Sequence, residues 1–119
     1  MCSSDLAHAH LELALKADEE DRQLIDKMWL ALAEAYIAVA QDGFDQASHA
    51  YQRAIGIAEQ CGMRWYRAYY SMDLASVLTA LDQNQEAAAL LKEAAQEFDA
   101  MDVAFYREVA SSRMAGLDA

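Results

Sequence analysis

The sequence predicts an all-α chain whose helices pack as antiparallel pairs and stack into a short solenoid. Three observations predict it. The 119 residues include no proline and only four glycines, fewer than a sheet protein with tight turns ordinarily needs. Apolar residues recur at helical spacing over long stretches. A small–large–small motif also returns every forty residues, as Ala7, Leu11, Ala14, then Ala47, Tyr51, Ala54, then Ala87, Leu91, Ala94. At i, i+4 and i+7 the three share one helix face, where the alanines admit a close neighbour and the larger residue fills the gap.

Six helices are expected, at about 4–17, 22–41, 44–61, 64–82, 84–100 and 102–115. The first carries Ala7, Leu11 and Ala14, and the acidic run Asp18 to Asp21 then offers a cap and favourable charge for the second. The second has an apolar stripe of Ile25, Met28, Trp29, Leu32, Tyr36 and Val39, and stops at Asp42-Gly43. Cys61-Gly62 ends the third, with Gly62 suited to a left-handed cap. Tyr70, Leu74, Ala75, Leu78 and Leu81 form the stripe of the fourth, which Asp82-Gln83-Asn84 closes. The last boundary falls near Asp99 to Asp102 without a glycine. Connections this short make sequential helices antiparallel neighbours. A repeated pair then buries its apolar face only by stacking on the next pair, so residues 1–119 read as one domain.

Nine basic residues against twenty acidic ones, a formal charge of −11, give no basic stripe to displace counterions from phosphate. Nucleic acid and anionic membrane are therefore not expected partners, and a basic partner suits the chain better than an acidic one. No apolar run spans a bilayer, the start lacks a secretory pattern, and Cys2 and Cys61 give weak grounds for a disulfide. A cytoplasmic location is the resulting expectation, and the abrupt helical start is compatible with a fragment of a larger signalling or transcription regulator.

Laid out this way, the chain resembles the tetratricopeptide repeat family. Leu74, Ala75, Leu78, Ala87, Leu91 and Ala94 stand at the family's spacing. Trp29, Leu32, Ala33, Tyr36, Ala47, Tyr51 and Ala54 follow it with a connection two residues longer. Departures are the forty-residue period, the missing proline after the second helix, and the missing glycine beside Ala33 and Ala75. The longer period is similar to a branch found in bacterial regulatory proteins. The resemblance implies a right-handed stack with two complete pairs, about 22–61 and 64–100, flanked by single helices at 4–17 and 102–115. It also implies peptide or protein binding on the face of each pair's first helix. Carried onto this chain, that face holds Lys27, Leu30, Glu34 and Ile37, then Tyr69, Met72, Ser76 and Thr79. The set lacks the basic cluster that would clamp a terminal carboxylate.

Other candidates are weighed against plainer roles. Trp65 and Tyr69 share a flank and either stack on the preceding pair or join a recognition patch. His8 and Glu12 share a face from which His10 is turned away, so surface residues are expected there rather than a metal site. The carboxylates Glu19, Glu20 and Asp21 read as a solvated helix start, without the split environments of general acid/base pairs. With no phosphate loop and no nucleophile elbow, neither catalysis nor a cofactor is expected. The function these readings favour is a protein-interaction scaffold. The alternative is a self-associating module that forms a homodimer through exposed helical ends, with Phe105 and Tyr106 near one of them.

Overall fold

The positions at which the backbone can enter the left-handed region set the length of nearly every helix. A computed structural model describes the backbone of residues 2–118 and the side chains of residues 19–117. Among the described residues there are five helices: α1 Cys2–Ala40, α2 Phe44–Gln60, α3 Arg64–Ala80, α4 Asn84–Ala100 and α5 Ala104–Asp118. Each connection is three residues long, and its middle residue has positive φ: Asp42 at 59°, Gly62 at 69°, Asp82 at 61° and Asp102 at 61°. These positions are spaced by twenty.

One hydrogen-bond pattern recurs at all four. The amides of Gly43, Met63, Gln83 and Val103 donate back to the carbonyls of Ala38, Ala58, Leu78 and Phe98 at 2.7 or 2.8 Å. The left-handed residues donate to Val39, Glu59, Thr79 and Asp99. This double closure satisfies carbonyls that a helix end otherwise leaves open. Three of the four turns use aspartate, whose short polar side chain tolerates the left-handed region better than most. Asp82→Val is therefore expected to cost about 1–2 kcal/mol, while Asp82→Gly should stay within about 1 kcal/mol of the parent. Urea titration of the two variants checks the ordering.

Pairs mirrored about each turn show that neighbours run antiparallel. Glu34 meets Arg53, Arg67 lies 3.8 Å from Glu59, Arg64 bonds Glu97 at 3.0 Å, and Arg107 bonds Asp99 at 2.9 Å. These exposed pairs report geometry and add little stability. The core lies between the helices. Met28, Leu32 and Ala35 of α1 face Ala47, Tyr51, Ala54 and Ala58 of α2, all at most 3 % exposed. Forty residues on, Ala68, Met72, Ala75, Ala87, Leu91, Ala94 and Phe98 are buried in the same order. No helix among the described residues is long and apolar enough to cross a membrane.

Two expectations are corrected. The helices expected at 4–17 and 22–41 form one backbone element, α1. Glu19, Glu20, Asp21 and Arg22 are exposed within it, and solvated charges cost a helix interior only tenths of a kcal/mol each. The twenty-residue register would also place a left-handed residue at Arg22, a residue type that bears the full left-handed penalty. The two-residue lengthening of the first connection is absent too. Both pairs have three-residue turns, so Leu32 corresponds to Met72 and Ala35 to Ala75. Ala33 is exposed and has no structural match to Ala75.

Candidate protein-binding surface

The corrected register divides the expected binding residues between different faces. Lys27, Leu30, Glu34 and Ile37 do lie exposed along one side of α1, with Leu30 at 69 % and Ile37 at 59 %. Their counterparts forty residues on are Arg67, Tyr70, Leu74 and Val77, of which the last three are buried. Among the described residues this side of α1 is therefore the end of the stack and not a continuation of the α3 surface. On α3, Met72 is 2 % exposed and belongs to the core. Ser76 and Thr79 bond the carbonyls of Met72 and Ala75 in their own helix. Trp65 and Tyr69 stack on each other at 5.0 Å, and both meet Tyr106 of α5 edge-on, at 5.5 and 5.7 Å. Both rings therefore pack against α5, the second helix on from α3.

These contacts make α1, α3 and α5 one layer, with Trp29 of α1 also meeting Tyr66 of α3 at 5.8 Å. Asp73 sits on α3 within this layer. It follows Tyr69 by four residues and Tyr70 by three, so the helix places it beside both. Burial pushes its carboxyl above the ordinary value, and the charge of Arg113 on α5 opposes that shift only in part. Among the described residues no side-chain hydrogen bond or ion pair engages it.

Three tyrosines complete the surroundings. The Tyr36, Tyr51 and Tyr70 hydroxyls are all raised above 10.0, first by burial. The negative field of Asp73 is the second cause for Tyr36 and Tyr51 and a smaller one for Tyr70, which Tyr36 perturbs more. Tyr36 is 51 % exposed and meets the buried Tyr51 edge-on at 6.2 Å. Beside this cluster a cleft of about 410 Å³ opens between α3, α4 and α5, lined by Ser76, Thr79, Leu91, Arg113 and Leu117 among others. Arg113 thus connects the carboxylate to the cleft.

A carboxylate partly removed from water, lacking a paired counter-ion and bordered by aromatic rings, offers charge and π faces to an ammonium or guanidinium group. No cluster of three metal-ligating side chains occurs among the described residues. The side chains of His8, His10 and Glu12 lie outside them. Sequence reasoning missed Asp73, Tyr36 and Arg113 as a group. Asp73 does stand as the one charge in the stretch 68–81, among Tyr69, Tyr70, Met72 and Leu74, which is a usable signal for a carboxylate that cannot reach water freely. Tyr36, Tyr51 and Arg113, however, come from three other helices, and only the correct register brings them together.

No protein-family model matches this chain, and neither the curated proteins nor the solved structures searched contain a match.

Proposed function

We propose that the chain is a protein-interaction module of tetratricopeptide-like character, a right-handed stack in the cytoplasm that binds a basic side chain of a peptide or protein on its α1–α3–α5 layer. The observation that carries this reading is Asp73, a carboxylate kept in an aromatic, partly buried setting at a cost to folding. A raised carboxyl has a definite sign in stability. Its contribution is fully present below the ordinary carboxylate value and is lost as pH rises through the folded value, so at neutral pH the charge opposes folding. A solvated aspartate would avoid that cost, and groups held against stability are common at functional sites. The acidic balance of −11 would also draw a basic partner toward the surface. Trp29 and Tyr36, 43 % and 51 % exposed, supply flanking aromatic area of the kind that anchors peptide side chains.

The test is peptide display against the immobilised full chain. Enrichment of sequences carrying Lys or Arg next to an apolar residue is expected. Asp73→Asn should weaken the best of them at least tenfold while raising thermal stability at pH 7. Display that enriches acidic peptides, or binding that survives Asp73→Asn intact, would overturn the reading.

A further inference from the structure

The turns at Asp42, Gly62, Asp82 and Asp102 fix which positions stand side by side in the α1–α3–α5 layer. A residue on α1 has its counterparts forty positions on in α3 and eighty on in α5. Ala33, Asp73 and Arg113 are one such row. Trp29, Tyr69 and Val109 make the row one turn before it, and Tyr36, Ser76 and Gly116 the row one turn after. None of these nine residues is buried, so the three rows form one continuous free face of the layer. Its middle row crosses the layer from a methyl group to a carboxylate to a guanidinium.

Arg113 stands apart from the other arginines of α2 to α5. Arg53, Arg64, Arg67 and Arg107 each pair with a carboxylate. Among the described residues Arg113 has no such partner, although Asp73 occupies the same position on α3. Burial raises the Asp73 carboxyl and the Arg113 charge pulls it back, so the two groups feel each other without touching. The exposed Arg113 also borders two hollows, of about 410 Å³ beside Ser76 and Leu117 and about 360 Å³ beside Phe105 and Val109. A purely basic guest would meet attraction at Asp73 and repulsion at Arg113. A guest with both signs of charge turns that repulsion into a second attraction.

We propose that this face selects an extended partner segment carrying both charges, a Lys or Arg over Asp73 and an Asp or Glu over Arg113, and that Arg113 sets the specificity. This selectivity rests on the reading of Asp73 as the cation site. Packed helix axes lie about 8–10 Å apart, which fixes the distance between the two charges along a segment that crosses the layer. A polyproline II segment rises about 3.1 Å per residue with three residues per turn, so side chains three positions apart share one side at about 9 Å. A β-strand offers about 7 or about 13 Å at same-side positions two or four apart, and neither fits. The basic and acidic residues therefore stand three positions apart. Trp29 and Tyr36, 43 % and 51 % exposed on either side of Ala33, give the segment aromatic area on which to lie.

The experiment selects displayed random peptides against the full chain and against Arg113→Gln, an exposed position where the exchange leaves helicity unchanged. The wild-type pool is expected to pair a Lys or Arg with an Asp or Glu three positions away. The Arg113→Gln pool should keep the basic residue and lose the acidic one. Arg22→Gln removes an equal charge from an exposed site about 16 Å along α1 from Ala33, and should leave the pairing intact. For a synthetic peptide from the wild-type pool, exchange of its acidic residue for the amide should weaken binding to the wild-type chain about fivefold, the upper range for an exposed ion pair, and leave binding to Arg113→Gln unchanged. Asp73→Arg combined with Arg113→Asp should reverse the preferred order of the two charges along the peptide. A wild-type pool rich in basic residues without an acidic companion would overturn the charge-pair selectivity and leave the cation site standing. An equal loss on Arg113→Gln would do the same. A pool without basic residues, or binding indifferent to Asp73→Asn, would remove the cation site and the selectivity with it.

Discussion

Phe98→Ala is expected to destabilise the chain by about 3–5 kcal/mol and to lower its thermal midpoint by more than about 10 °C. Phe98 is fully buried near the end of α4. Its ring stacks on Tyr106 of α5 at 5.3 Å and meets Trp65 of α3 at 6.4 Å, nearly edge-on. It therefore joins three helices at one point, and its carbonyl also accepts the 2.8 Å turn bond from Val103. Truncation removes the ring from all of these neighbours and leaves a cavity between elements that cannot collapse without moving the Asp102 turn. Phe105 is the control. It lies on the same stretch but is 70 % exposed, so Phe105→Ala should change stability by about 0.5 kcal/mol or less. Chemical denaturation of both variants separates the cases. A Phe98→Ala loss under about 1 kcal/mol would mean that the aromatic cluster does not hold α4 and α5 to α3.

The same cluster shows how much of the fold could be read from the sequence. Helical periodicity and the Ala-x₃-large-x₂-Ala motif are local to the helix that carries them, and α2 and α4 stand where that pattern puts them. Gly62 was legible because a glycine announces a left-handed residue. Asp42, Asp82 and Asp102 were less so, because aspartate is equally at home capping a helix start or in solvent. Once the four turns are aligned at intervals of twenty, the register of α1 against α3 follows. Without them, Leu32-Ala33 and Leu74-Ala75 look equivalent by composition, a two-residue shift that moves each side chain some 200° around a helix with about 3.6 residues per turn. That shift is what puts Met72 on a binding face by sequence pattern, whereas it lies in the core.

The candidate site was harder to read for a related reason. Tyr36, Tyr51, Tyr70, Asp73 and Arg113 are spread over 78 positions of sequence and four helices. Each has an ordinary role on its own helix. Their joint character comes from burial, which no local pattern records. The raised carboxyl of Asp73 depends on the rings and backbone that displace water around it. A buried charge is thus visible only after the layer α1–α3–α5 has been assembled.

Ala54→Leu is the sharper test of what the repeat means. Ala47, Ala54 and Ala58 are fully buried and Ala50 is 1 % exposed, so α2 presents a seam of small residues to its neighbours. Such a seam fixes how closely helix axes approach, and added methylenes must be accommodated by shifting α2 away from α1 or α3. A loss of about 1–3 kcal/mol is expected, although leucine is both more apolar than alanine and nearly as good a helix former. Gly56→Ala, on the same helix, should move the other way. A methyl there meets nothing within 4 Å, and the exchange relieves a helix-interior glycine worth about 0.5–1 kcal/mol. Opposite signs from two enlargements two residues apart would show that the alanines are spacing elements of the stack. If Ala54→Leu were neutral or stabilising, α2 would not be held at alanine distance. The forty-residue return of the motif would then reflect the abundance of alanine in the chain.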